Sequence, residues 1–117
     1  MRTDNQILID SKAFALRVIR LYTYLKDEKQ DFILSKQILR SGTSIGANVR
    51  ESVNAQSRMD FINKLNIALK EADETEYWLE LLYESNFLDK KQFESLNNDC
   101  GKIQATLTKI INTMKSK

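Results

Sequence analysis

The sequence predicts an all-α protein, an antiparallel up-down-up-down bundle of four helices. Its 117 residues contain no proline and only three glycines, so long helices can run without interruption. Apolar residues recur at steps of three and four in four separate stretches. Short polar connections join these stretches and favour antiparallel neighbours. We expect one domain over residues 1–117, a length that can bury its own core.

An apolar stripe predicts the first helix. Its members share one helix face: Phe14, Val18, Leu21 and Leu25, widened by Ala15, Ile19 and Tyr22. Either Asp4 or Asp10 could cap the start of this helix, and the sequence does not choose between them. Residues 27–31 form the polar turn that follows.

The second helix is predicted from apolar residues on one side: Leu34, Ile38, Ile45, Val49 and Val53. The poor helix formers of residues 41–44 interrupt this pattern. Two alternatives stay open. The helix is kinked there, or it is continuous and its small residues admit a close neighbour.

The third helix is predicted over residues 57–85 and carries apolar side chains on two sides. The main stripe consists of Ile62, Leu65, Leu69, Ala72, Leu79 and Tyr83. A second patch consists of Ile67, Trp78 and Leu82. A helix that is apolar on two sides needs two partners, so we expect the chain to form a homo-oligomer.

A heptad pattern predicts the fourth helix. Its apolar positions follow steps of three and four: Phe93, Leu96, Cys100, Ile103, Leu107, Ile110 and Met114. Asp89, with Gln92 three residues later, is typical of a helix start. Cys100 lies within the pattern and is therefore interpreted as a small core residue.

The composition excludes several chemistries. The chain has no histidine, which removes imidazole catalysis, histidine zinc sites and the Glu-x-x-His di-iron sites of helical bundles. Its single cysteine cannot form an intramolecular disulfide or a thiolate zinc site. The sequence shows no glycine-rich phosphate loop and no apolar run of membrane-spanning length. We expect no signal peptide, since no apolar core of that kind follows residues 1–6. We therefore expect a cytoplasmic, non-enzymatic protein with no cofactor, metal or small-molecule substrate.

Polar residues form a second pattern along the second helix. Arg40, Ser44, Asn48 and Glu51 share one face if the helix runs through Gly42. The third helix offers carboxylates at Glu71, Glu74 and Glu76, the last within its apolar stripe. We interpret Arg40, Ser44, Asn48, Glu51, Glu74 and Glu76 as a structural polar network, because a buried charge needs a partner. A metal or ligand site and acid–base catalysis are the alternatives.

Charge is unevenly distributed although the net charge is only +2. Basic residues are in excess over residues 1–57 and 89–117, and acidic residues over 58–88. One interpretation is a nucleic-acid surface formed by Lys12, Arg17, Arg20, Lys26, Lys102, Lys109, Lys115 and Lys117. The other is pairing of charges between neighbouring helices. A protein-adaptor role is a further hypothesis, with Tyr77 and Trp78 either as exposed anchors or within a core or subunit contact.

Residues 34–51, LSKQILRSGTSIGANVRE, closely resemble the signature of the four helix bundle protein family. This family is also called the 23S ribosomal-RNA intervening-sequence protein family. Residues 14–17, FALR, and residues 68–72 and 74–79, ALKEA and ETEYWL, resemble it too. One departure is Ser52, where many members have glycine, and it leaves the end of the second helix in doubt.

The resemblance implies a bacterial cytoplasmic protein, an antiparallel four-helix bundle and a ring-shaped homopentamer. It also implies a relation to the accessory proteins of diversity-generating retroelements, which are basic pentamers that bind nucleic acid and a reverse transcriptase. By that similarity the chain would be a nucleic-acid-binding adaptor for RNA or DNA. The alternative is a structural or protein-interaction oligomer with no nucleic-acid role.

Overall fold

A computed structural model describes residues 5–117 of the chain, the side chain of Asn5 excepted. It contains helices α1 (Asn5–Asp27), α2 (Leu34–Ser52), α3 (Arg58–Glu84) and α4 (Lys90–Lys115), and no strand within those residues. None of the helices in this range is both long and apolar enough to span a membrane. The predicted all-α, four-helix class is confirmed.

The helices form an elongated bundle of 46 × 20 × 19 Å in which each helix packs on two others. The contacts run α1–α2, α2–α3, α3–α4 and α4–α1, so α1 lies diagonally opposite α3. Neighbouring helices are antiparallel. For example, Gly42 lies against Val18 while Gly46, one turn further along α2, lies against Ser11.

The core contains most of the predicted stripe residues, with corrections at the edges. Ile19 and Val53 are exposed, so the stripes of α1 and α2 are narrower than predicted. Leu82 is fully buried and belongs to the core, not to a second patch. Near the end of α4 the buried residue is Ile111 and Ile110 is half-buried, because an undistorted helix drifts away from a strict heptad.

The middle of α2 is helical throughout, which decides between the two alternatives for residues 41–44. A Cβ atom added at Gly42 would lie 2.7 Å from Val18 Cγ2, closer than two carbon atoms can approach. At Gly46 the nearest atom would be the Ser11 carbonyl oxygen at 3.3 Å. The small residues therefore admit the backbone of α1, and the helix is continuous.

Side-chain caps define the starts of α2 and α4. Asp89 accepts from the Gln92 amide at 2.7 Å, while Gln92 Oε1 accepts from the Asp89 amide at 3.0 Å; this capping box confirms the predicted start of α4. The start of α2 depends on a cap that the sequence prediction missed, since Asp31 Oδ2 accepts from the Ser35 amide at 2.6 Å. Asp10 does not cap α1 because it lies inside that helix, and Asp4 lies outside the described residues.

Candidate nucleic-acid interface

The seam between α1 and α4 is the least extensive helix contact of the bundle. A set of polar contacts made by Arg17 crosses this seam at mid-length. Arg17 Nη1 donates to Asp99 Oδ2 at 2.6 Å, and Arg17 Nη2 donates to Ser95 Oγ at 3.0 Å. Because the two helices pack loosely on either side of these contacts, the seam opens into a groove.

Three cavities follow this α1–α4 groove along the bundle. The first, of about 240 Å³, is lined by Arg17, Arg20, Tyr24 and Gln92 together with buried leucines. The second, of about 290 Å³, includes Asp10, Asp99 and Lys102. The third, of about 400 Å³, includes Gln6, Lys109 and Met114. The groove is therefore polar at its edges and apolar at its floor.

Four predicted nucleic-acid residues line this groove: Arg17, Arg20, Lys102 and Lys109. Arg20, Lys102 and Lys109 are exposed, whereas Arg17 is half-buried and held by its contacts to α4.

The other predicted basic residues lie elsewhere. Lys12 lines a separate groove between α1 and α2. Lys26 lies over the Tyr22 ring, 5.4 Å from its centroid, and Lys115 and Lys117 are exposed near the end of the chain.

Two carboxylates lower the positive potential of the α1–α4 groove. Asp99 pairs with Arg17, and Asp10 Oδ1 accepts from Gln6 Nε2 at 2.8 Å. Since the lining holds four cations and two carboxylates, it keeps a positive excess. Electrostatic binding of phosphates in this groove would be moderate for a single chain.

The predicted polar stripe lies at the edge of the α2–α3 contact, half exposed to solvent. Arg40 donates to Glu71 Oε2 at 2.8 Å and also forms an ion pair with Glu74. Trp78 Nε1 donates to the same Glu74 carboxylate at 3.2 Å. Further along the stripe, Lys64 Nζ lies 3.1 Å from Glu51 Oε1. The structure thus brings Arg40 and Glu74 together, but as a surface cluster and not in the interior.

The remaining stripe residues do not join that cluster. Ser44 donates to the Arg40 carbonyl at 2.6 Å and Asn48 to the Ser44 carbonyl at 2.8 Å, so both satisfy their own helix. Glu76 is half-buried and, within residues 5–117, forms no ion pair with Arg40. The buried polar contact between α2 and α3 is instead the hydroxyl pair of Thr75 and Ser41, 2.8 Å apart.

The comparisons with known proteins agree with this architecture. The profile of the family described as 23S rRNA-intervening sequence protein matches residues 3–109. The chain belongs to that family. The resemblance seen over residues 34–51 is thereby confirmed, while the relation to retroelement accessory proteins stays a prediction.

A solved structure provides a second comparison. It is described as a protein with unknown function from the S23 ribosomal protein family of Bacteroides thetaiotaomicron VPI-5482. This chain is 57% identical to it, with a TM-score of 0.92, over 92% of this chain and 96% of that one. No curated protein matches the chain.

Tyr24, Asp10 and Asp99 are groove residues that sequence reasoning did not assign to this surface. Tyr24 lies one turn beyond Arg20 on the same face of α1, so its spacing could have revealed it. Asp10 and Asp99 were not identified as groove residues, because pairing across a helix seam depends on the register of α1 against α4. That register is not visible in either helix alone.

Proposed function

We propose that this chain is a non-enzymatic, self-associating protein of the bacterial cytoplasm that binds nucleic acid through the α1–α4 groove. The observation that carries the proposal is the alignment of Arg17, Arg20, Lys102 and Lys109 along one groove. These residues come from the two basic parts of the sequence, which the fold brings together on one side of the bundle.

The residues that line the groove have different parts in this proposal. Arg17 is held in place by Asp99 and Ser95, so it loses little side-chain entropy on contacting a phosphate. Arg20 and Lys102 are exposed and attract the backbone without sequence preference. Tyr24 is half-buried in the lining of the same cavity as Arg20, and its ring is a surface on which an unpaired base can stack. The groove therefore favours single-stranded RNA or DNA over a duplex.

Self-association compensates for the modest charge of one chain. Several copies that each contribute a weak groove raise the overall affinity through effective concentration. The family resemblance implies five copies in a closed ring, and that number stays a prediction.

The carboxylates of α3 support the non-enzymatic part of the proposal. Glu71 and Glu74 are both paired with Arg40, which contacts one oxygen atom of each carboxylate, as expected for carboxylates with a structural role. Among residues 5–117 no cluster of three or more histidine, cysteine, aspartate or glutamate side chains is arranged to hold a metal ion.

The test is a titration of fluorescently labelled single-stranded RNA, single-stranded DNA and duplex DNA at several salt concentrations. We expect single strands to bind, with an affinity that falls steeply as salt rises. Arg20→Glu combined with Lys102→Glu is expected to weaken binding by about tenfold or more and to reduce the slope of log K against log salt by roughly one to two.

Lys36→Glu is the matched control because Lys36 is exposed on α2, away from the groove. It is expected to change affinity by less than about twofold, since distant charges are largely screened. Absence of binding at low salt, or equal losses in the groove and control variants, would contradict the proposal.

A second candidate function is a structural or protein-adaptor role without nucleic acid. Tyr77 favours it, since the residue is 53% exposed beside the half-buried Trp78, and an exposed aromatic residue can anchor a protein partner. A titration without nucleic-acid binding, together with retained self-association, would favour this second candidate.

A further inference from the structure

Two exposed apolar faces lie on opposite sides of the bundle and carry opposite charge. One is formed by α1 and α2, the other by the outer side of α3, diagonally across from α1. A face with several exposed large apolar side chains marks an interaction site more often than isolated ones do. Their positions and charges indicate what covers them.

The first face is the α1–α2 groove, a cavity of about 470 Å³. Its floor consists of small residues, among them Ala15, Gly46 and Ala47, so the two backbones leave room for side chains of a partner. Lys12 and Arg50 are the charged residues of its lining, which includes no carboxylate. Exposed apolar side chains extend this face along α1 and beyond α2: Ile9, Leu16, Ile19 and Val53.

The second face is the outer side of α3. It exposes Met59, Ile67 and Tyr77, which the bundle itself leaves without a covering helix. The charged residues around them are mainly acidic: Asp73, Glu80 and Glu84, against the cation Lys70. Glu74 and Lys64 also flank this face, but each is paired with a residue of α2, Arg40 and Glu51 respectively. An apolar centre with a negative rim is complementary to the α1–α2 groove in both character and charge.

These two faces distinguish between modes of self-association. A two-fold symmetric dimer would pair each face with itself and bring like charges together, which costs free energy in a desolvated contact. A head-to-tail contact pairs the basic groove with the acidic face and covers both. We infer that the α1–α2 groove of one copy receives the outer face of α3 of a second copy. This inference rests on the self-association part of the proposed function and does not depend on nucleic acid.

The head-to-tail arrangement makes a specific prediction for mixtures of variants. Ala47→Glu places a carboxylate in the groove but leaves the α3 face intact. Ile67→Lys places a cation on the α3 face but leaves the groove intact. Both sites are exposed, so folding is retained, and unchanged helical circular dichroism and thermal midpoint would verify it.

The measurement is molar mass by light scattering during size exclusion. We expect the unmodified chain to assemble, each variant alone to be monomeric, and an equimolar mixture to form a dimer with one copy of each. Only one intact groove and one intact α3 face remain in that mixture, so the assembly stops at two chains. Ile33→Lys is the matched control, because Ile33 is 75% exposed in the loop that connects α1 to α2 and does not line the groove or the α3 face. The molar mass of this variant should equal that of the unmodified chain.

The outcomes distinguish whether the chain self-associates from which two faces pair. A monomeric unmodified chain would overturn this inference together with the self-association of the proposed function. An assembled chain whose mass survives Ile67→Lys would overturn the pairing of faces alone. The pairing of faces would also be overturned if Ala47→Glu were monomeric while Ile67→Lys still assembled, because that result would indicate that the groove pairs with itself.

Discussion

Cys100 illustrates how the fold determines the chemistry of a single residue. Its side chain is fully buried between α3 and α4, with the sulfur 3.4 Å from the Ala72 carbonyl oxygen, to which the thiol donates. Burial, and then the carboxylates of Glu76 and Asp73, raise the pKa of Cys100 to about 12. The thiolate is the reactive form, so this cysteine is inert at neutral pH.

The raised pKa predicts a loss of stability in alkali. Between pH 9.0 and about 12 the unfolded chain releases the thiol proton while the folded chain keeps it, so the free energy of unfolding falls as pH rises. Urea unfolding of the unmodified chain and of Cys100→Ala checks this. The free energy of unfolding of the unmodified chain, relative to that of Cys100→Ala, should fall by up to about 1.4 kcal/mol per pH unit through this range. Parallel pH profiles of the two proteins would contradict it.

At the scale of helices, the contact of α1 with α2 depends on the absence of side chains. Gly42 lies under Val18, whose branched side chain has little rotational freedom to move aside. Gly101 in α4 has no atom within 4 Å of where its Cβ would lie. The two glycines occupy helix interiors alike, so they separate the effect of packing from that of helix propensity.

Gly42→Ala is predicted to destabilise the protein by about 1–2 kcal/mol, because overpacking exceeds the gain in helix propensity. Gly101→Ala is predicted to stabilise it by up to about 1 kcal/mol, since only propensity acts there. Val18→Ala should restore part of the loss in the Gly42→Ala background. Chemical denaturation measures the free energy of unfolding of the unmodified chain, the two single glycine variants and the double variant. An unchanged free energy of unfolding in Gly42→Ala would contradict the prediction, because it would show that α1 can move away from α2 without loss of stability.

At the scale of the whole molecule, the four helix–helix contacts of the bundle differ in extent. The contacts of α2 with α3 and with α1 are the most extensive, and that of α1 with α4 is the least. The Arg17–Asp99 pair that ties the weak seam is partly exposed, and such pairs contribute little to stability. The groove proposed to bind nucleic acid thus lies at the least extensive helix contact, where we expect the bundle to open first.

Native-state hydrogen exchange is expected to show that the four helices differ in local stability. Core amides of α2 and α3 should report the global free energy of unfolding, and those of α4 an opening free energy lower by about 2 kcal/mol. Bound single-stranded nucleic acid should slow exchange in α1 and α4 more than in α2. Uniform protection across the four helices would contradict the prediction.

Much of the fold was readable from the sequence because helix stripes and caps are local signals. Asp89 with Gln92, and the stripe from Phe14 to Leu25, required no knowledge of neighbouring helices. Contacts between neighbouring helices were harder to predict from the sequence. Glu76 was expected within an internal network, yet the buried position belongs to Thr75, one residue earlier. The basic groove was foreseen as a set of residues, but the register that joins Arg17 to Asp99 was not.

The third cavity of the α1–α4 groove has a consequence for the order in which the helices can be connected. Gln6 and Met114 line it together, so the start of α1 and the end of α4 lie side by side. A short linker could join these ends, and new termini could be opened between α1 and α2. The circularly permuted chain would keep all four antiparallel helix contacts. We therefore expect the permuted chain to reach the same fold, since helix neighbours are preserved while the order of the helices changes.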